Sequence, residues 1–353
     1  MKKSISFIWV LTLLSGPVSA SAFTAVKDTL PSIPGEHNYI YVRTPLEENE
    51  EKNYDEITFY DGLGRELDFA QSYGADRTDI FIAHHHLIEY DSLGRKEKQW
   101  ITAPTSFSYM APEDLKNGIL WDYHDAGKRS YLQTNYESSP LNRITEQYGV
   151  GDAWGNHPAR MEYLTNIPAD SLRCSLYLID DNDALIRRGD YRSGELQVTK
   201  ATDEDGRPTY TFVDKQGRTL LTRIGRGNQQ ADTYFVFDRF GRIRYVLPPM
   251  INDEISAGNL DLYAYQYLYD SFGRCISKKL PGCAAIRYVY DKADRVILSQ
   301  NGNQSQKKEW TFTFYDNQGR LSLTGLCSFN DPPSLDNSIV RAYRTTAEKD
   351  GVL

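Results

Sequence analysis

A five-residue pattern, Asp-x-x-Gly-Arg, recurs seven times and constrains this chain more than any other feature. It is carried by Asp61, Gly64 and Arg65; Asp91, Gly94 and Arg95; Asp203, Gly206 and Arg207; and Asp214, Gly217 and Arg218. It returns at Asp238, Gly241 and Arg242; Asp270, Gly273 and Arg274; and Asp316, Gly319 and Arg320. An eighth copy, Asp291 to Arg295, has Asp294 in the glycine position. Ordinary composition would give roughly a tenth of one occurrence by chance, so this is a true internal repeat. The Asp-to-Asp steps are 30, 112, 11, 24, 32, 21 and 25 residues, most of them the length of one hairpin.

The residues before each Asp alternate with period two and are rich in Tyr, Phe and Val, as in Phe235-Val236-Phe237 and Tyr267-Leu268-Tyr269. That is a strand pattern. The Asp side chain accepts from a backbone N–H two residues on, which turns the chain. The Gly supplies the left-handed residue that closes such a turn. The Arg opens the next strand and folds back toward the carboxylate. Each unit therefore reads as strand, tight turn, strand. A lone hairpin is marginal in water, so successive units must pair side by side.

Tyr267 to Arg274 (YLYDSFGR) and Tyr288 to Arg295 (YVYDKADR) resemble the YD repeat of the RHS (rearrangement hotspot) family. The similarity extends over Asn38 to about Leu326, through Tyr54-Asp55 to Arg65, Ser139 to Arg143, Glu195 to Lys200 and Lys279 to Cys283. These look like the N-terminal segment of large exported RHS-type proteins, a segment catalogued as a domain of unknown function. The resemblance implies an all-β fold: antiparallel YD/RHS-repeat hairpins forming a curved, incomplete shell-like sheet with irregular insertions. Complete members enclose a C-terminal toxin, released by an Asp-based self-cleavage motif. Here Asp331-Pro332-Pro333-Ser334 is only a partial echo of an Asp-Pro-x-Gly core motif, and no room is left for a toxin. Neither autoproteolysis nor toxin activity is expected.

Met1-Lys2-Lys3, the apolar run Ile5 to Leu14, Gly16-Pro17 and Ala20-Ser21-Ala22 have the layout of a cleavable secretory signal. The run is too short to span a bilayer of ~30 Å. The product is expected in the periplasm, at the cell surface or outside the cell, without a transmembrane segment. The organisation then reads as 1–22 signal peptide, 23–52 extended segment, 53–102 first repeats, 103–200 insertion or diverged repeats, 201–327 repeat sheet and 328–353 polar tail. In the insertion, Asp152 to Asn156 reads as a degenerate repeat turn. A net charge of −8 argues against nucleic-acid binding. The four cysteines read as four buried thiols, and if a disulfide forms, Cys275 and Cys283, which flank a hairpin loop, are the pair best placed for it.

Catalytic chemistry finds no foothold. His84-His85-His86 cannot gather three imidazoles on one face of a strand and reads as a solvated strand face. Asp180-Asp181-Asn182-Asp183 is oxygen-rich but lacks the later Glu of a calcium loop, and reads as a polar hairpin turn. The repeat carboxylates have turn-making roles. No cofactor is expected, and the chain reads as a non-enzymatic scaffold whose partners are further RHS-type shell chains. The alternative is a surface-glycan module that stacks sugars on exposed aromatics, with Trp121, Tyr123, Trp154 and Trp310 as its candidates.

Overall fold

The computed structural model describes residues 38–46, 53–73, 82–106, 109–122, 129–225 and 230–328. The signal-sequence expectation, Tyr123 and the tail beyond Ser328 lie outside these. The chain divides into two compact units, Met1–Met161 with Thr202–Gly206, and Glu162–Ala201 with Arg207–Leu353.

The first unit is built on an antiparallel sheet. Its elements are β1 (Asn38–Pro45), β2 (Asn53–Tyr60), β3 (Glu66–Tyr73), β4 (Ile82–Tyr90), β5 (Lys96–Trp100) and β6 (Ala103–Ser106), then helix α1 (Pro112–Asp122), β7 (Tyr131–Tyr136) and β8 (Ile144–Tyr148). Consecutive strands β1 to β4 pair in order. β4 then pairs with β6 through its first half and with β5 through its second, and β5 hands on to the β7–β8 hairpin. Period-two patterning buries Ile57 and Phe59 on one face of β2, against Ala70, Tyr41 and Tyr109. Helix α1 starts on Pro112, whose fixed φ suits a first helical turn, and carries Glu113 and Asp114 where the helix dipole favours acids. Leu115 and Ile119, one turn apart, pack with Leu87 and Trp100.

The histidine run lies in β4, and the expectation of a solvated face holds only in part. His84 is exposed, but His85 is fully buried, with Nδ1 2.6 Å from Asp68 Oδ2. Alternation places His85 on the inward side with Leu87, and the equally buried carboxylate supplies the partner that such burial requires. His86 is half-buried, and desolvation lowers its pKa.

A strand at the boundary, β9 (Ala159–Thr165), precedes the second unit. That unit contains β10 (Ser175–Ile179), β11 (Leu185–Asp190), β12 (Gln197–Thr202, which ends at the boundary), β13 (Pro208–Val213), β14 (Thr219–Ile224), β15 (Ala231–Phe237) and β16 (Ile243–Leu247). It continues with α2 (Ala257–Tyr263), β17 (Tyr265–Tyr269), β18 (Cys275–Lys279), β19 (Ile286–Tyr290), β20 (Val296–Gln300), α3 (Gly302–Lys307), β21 (Glu309–Tyr315) and β22 (Leu321–Ser328). From β13 to β22 every strand pairs antiparallel with the next, a continuous meander. The β10–β11 hairpin forms a separate two-stranded sheet. Its Tyr177 and Leu185, with Cys174 just before β10, join Tyr210, Phe212, Leu221, Tyr234 and Val236 in the main core.

One expectation is corrected. Asp152–Asn156 is a 3-10 helix, not a repeat turn, and its Asp152 accepts the Arg129 N–H. Cys275 and Cys283 are both free thiols. The β18–β19 register, Ser277 with Arg287 and Lys278 with Ile286, puts Cys275 at one end of β18 and Cys283 in the turn beyond the other.

Candidate functional site

The repeat turns share one geometry. In the turn Asp270–Arg274, Asp270 Oδ1 accepts the N–H groups of Phe272 and Arg274, both at 2.9 Å. Oδ2 takes the Arg274 Nε at 2.7 Å. The Gly273 N–H donates to the Asp270 carbonyl at 3.1 Å, with Gly273 at φ +86°, where a Cβ would be strained. The turns at Asp61, Asp91, Asp214, Asp238, Asp291 and Asp316 repeat these contacts almost to the tenth of an ångström. At Asp203 the Gly206 N–H makes the same bond at 2.9 Å, with φ +78°.

The carboxylates respond to this cage. Desolvation pushes the pKa of Asp91, Asp214, Asp238, Asp270 and Asp291 upward, but the two backbone N–H bonds and the arginine outweigh it and leave each below the usual range. At the more exposed Asp61 and Asp316 the backbone bond from Arg65 or Arg320 is the main cause of the same lowering.

The arginine does a second job that the repeat spacing conceals. Six of the guanidiniums lie against the aromatic ring that immediately precedes the next unit's acid, whereas Val213 precedes the acid that follows Arg207. Arg65 covers Tyr90 at 4.4 Å and Arg95 covers Tyr136 at 4.7 Å in the first unit. In the second, Arg218 covers Phe237, Arg242 covers Tyr269, Arg274 covers Tyr290 and Arg295 covers Tyr315, at 4.8 to 5.1 Å. The tyrosine then hydrogen-bonds backward: the hydroxyls of Tyr90, Tyr136, Tyr269, Tyr290 and Tyr315 donate to the carbonyls of Glu66, Lys96, Ile243, Cys275 and Val296, each the residue after the preceding arginine. Arg95, Arg242 and Arg274 also donate Nη1 to the carbonyl of the next unit's acid. A one-residue register shift falls at every such aromatic, between Leu268 and Tyr269 for example. Bulges re-aim side chains, and the re-aimed residue here is the one that closes the rung. Aromatic, Asp, Gly and Arg are thus one connecting device.

Two further turns escaped the sequence pattern. Glu137 and Arg143 close an expanded loop, paired at 2.7 Å through both carboxylate oxygens, with Asn142 at φ +54° in the glycine role. The Arg143 and Ser139 bonds hold Glu137 down to about 2. Asp180–Ala184 has the repeat's backbone bonds: Asp180 Oδ1 accepts from Asn182 and Ala184, and Asp183 sits at φ +68°. The oxygen-rich loop is therefore a diverged repeat turn, and its Asp183 carboxylate is engaged by Arg244, with Nη2 to Oδ2 at 2.8 Å.

Among the described residues, no group of three or more His, Cys, Asp or Glu is placed to hold a metal ion. A cleft of about 470 Å³ in the second unit is lined by Tyr177, Arg223, Asp232 and Asp253 among others. Arg223, Asp232 and Asp253 in its lining are all engaged. Arg223 is bidentate to Asp232 and donates to the carbonyls of Ser171 and Arg173, and the Tyr177 hydroxyl bonds Asp253. Of the aromatic candidates, Trp310 is 2% exposed in a core with Val289 and Leu298, which removes it as a sugar platform. Trp154 is exposed. Trp121 lies in α1, and Tyr123 is outside the described residues.

Residues 37–165 match the model of a domain of unknown function, DUF6443. No curated protein matches the chain. Solved structures match it at 13% identity. They include a TcdB2–TccC3–TEV structure (TM-score 0.53, 89% of this chain) and TcdB2–TccC3 without its hypervariable C-terminal region (0.54, 84%). The Tc holotoxin pore of Photorhabdus luminescens also matches (0.51, 84%). The chain spans about 14% of the first two structures and 13% of the third. The chain shares the antiparallel β-sheet fold of the matching part of these structures.

Proposed function

We propose that this chain, which has the RHS-type β-repeat fold, is an exported, non-enzymatic scaffold that supplies one stretch of a shell wall and works in association with further shell chains. The rung carries the reading. At six turns the residues that make the turn also fasten it to the next hairpin, so the motif's recurring chemistry is spent on building a continuous wall. Support for association comes from the matched structures, whose TcdB2–TccC3 and holotoxin names describe assemblies larger than this chain. Support for export comes from the Met1–Ala22 pattern.

The test is co-expression of the chain with an RHS-type protein exported by the same cell, followed by affinity capture and light scattering. A complex of fixed stoichiometry is expected. A folded chain that remains monomeric at every partner concentration would overturn the reading. Fusion of residues 1–22 to a reporter active only outside the cytoplasm tests export separately, and an inactive reporter would refute it.

A further inference from the structure

Arg129, in the first unit, holds a guanidinium whose side edge is unused. Its Cζ stands between two rings, 5.3 Å from the centre of Tyr131 and 5.2 Å from the centre of Tyr148. Its Nη1 donates to Gln133 Oε1 at 3.3 Å. Its Nε and Nη2 are closed to solvent and have no hydrogen-bond partner among the described residues. A buried donor left unpaired costs its full desolvation, and a charged donor costs more than a neutral one.

The acids around it are committed elsewhere. Glu146 accepts from Tyr148, Asn135 and Arg160. Asp152 Oδ1 takes the backbone N–H of Arg129. Glu89 is engaged by Lys98 and Lys116, and the Lys98 ammonium lies 5.2 Å from the centre of Tyr131. The Trp100 ring, 4.9 Å from that of Tyr131, also has its indole N–H buried without an acceptor. The setting is cationic and lined by donors. A glycine leaves room in it: a Cβ on Gly155 would lie 3.7 Å from Arg129 Nε and 3.4 Å from its Cδ, with no other atom beyond its chain neighbours within 4 Å.

We infer that the Nε–Nη2 edge of Arg129 is a receptor for an oxyanion, a carboxylate or phosphate group that enters beside Gly155. Two parallel N–H donors on one planar edge match two oxygens of such a group. The faces of Tyr131 and Tyr148 hold the guanidinium plane, so the edge is preorganised. Entry requires the 3-10 turn Asp152–Asn156 to shift. That turn has no buried residue, so its movement uncovers little apolar surface. The site uses none of the repeat turns, and the inference does not rest on the shell-wall reading.

The test is a thermal melt of the full chain titrated with sodium phosphate or sodium acetate, against sodium chloride at equal ionic strength. A saturable rise in melting temperature is expected, and the anion that saturates at the lower concentration identifies the group. Arg129→Lys keeps the charge but loses the planar edge, and should weaken the apparent affinity about tenfold. Gly155→Ala places a methyl in the space beside Nε and should weaken it similarly. Arg129→Met should abolish the response yet melt no lower than the unaltered chain in chloride, because it removes a buried charge that has no acid partner. Hydrogen exchange over residues 129–156 should slow with the anion in the unaltered chain alone. Absence of a saturable response overturns the inference. So does the same response in the unaltered chain, Arg129→Lys and Gly155→Ala, which is a general salt effect. Those two variants decide the matter even where Arg129→Met does not fold.

Discussion

The Arg274 guanidinium donates to the Asp294 carboxylate at 2.8 Å, and Asp294 is the residue that stands where seven other copies of the repeat have glycine. The apparent flaw in the eighth copy is a contact from the preceding rung. Asp tolerates the left-handed conformation better than most residues, and Asp294 adopts it at φ +60°. Asp294→Gly is expected to be close to neutral, because the loss of an exposed ion pair is offset by relief of the backbone. Asp294→Ala removes both advantages and should cost about 1–2 kcal/mol. Chemical denaturation of the two variants checks the order, and equal midpoints would show that the backbone conformation carries no cost.

Tyr269 separates the two parts of a rung. Tyr269→Phe removes only the hydroxyl bond to the Ile243 carbonyl and should cost about 1 kcal/mol. Phe237, which covers Arg218 without a hydroxyl, is the natural precedent. Tyr269→Ala also strips the face covering Arg242 and should cost roughly 2–4 kcal/mol. Urea denaturation distinguishes them, and similar losses for Phe and Ala would place all the energy in the hydroxyl bond.

The turn carboxylates set an acid limit on stability. Asp61, Asp91, Asp214, Asp238, Asp270, Asp291 and Asp316 all titrate lower in the folded chain than the unfolded value of about 3.9. A depressed folded pKa means that the unfolded state takes up protons first. Their stabilisation is therefore fully present above about pH 4 and is lost as pH falls through the lower folded values. The melting temperature should be flat from pH 7 to 5 and drop below about pH 4, less steeply in Asp238→Asn. A decline centred near pH 6.5 would instead implicate histidine.

His85 and Asp68 form a buried pair in the first unit, with side chains 0% and 2% exposed. Asp68→Ala removes this hydrogen-bond partner from the buried imidazole and should cost about 1–3 kcal/mol. Hydrogen exchange of β3 and β4 amides gives the local readout. Unchanged protection there would mean that the pair is dispensable.

The strands and turns were legible because the repeat imposes its own punctuation: Asp for the Asx bonds, Gly for positive φ, alternating aromatics before them. The backward fold of each Arg onto its Asp was legible for the same local reason. The stack of that Arg on the next aromatic was not, since Arg95 and Tyr136 are separated by a 40-residue stretch containing α1, and Arg274 and Tyr290 by a short one. Glu137–Arg143 was hidden by two extra residues, and Asp180–Ala184 by the absence of both Gly and Arg. A search for an acid followed by any residue suited to positive φ, without fixing the spacing, would have found both. The burial of Trp310 and His85 depends on which sheet face is covered, and alternation alone names the faces without saying which one meets the core.

The central claim is that six of the repeat arginines, Arg65, Arg95, Arg218, Arg242, Arg274 and Arg295, fasten their own hairpins to the next through the aromatic rings they cover. A double-mutant cycle at Arg242 and Tyr269, measured by equilibrium denaturation of Arg242→Ala, Tyr269→Ala and the double variant, tests it most directly. The account predicts a coupling energy of about 1 kcal/mol or more. Additive losses, with coupling within about 0.3 kcal/mol of zero, would contradict it.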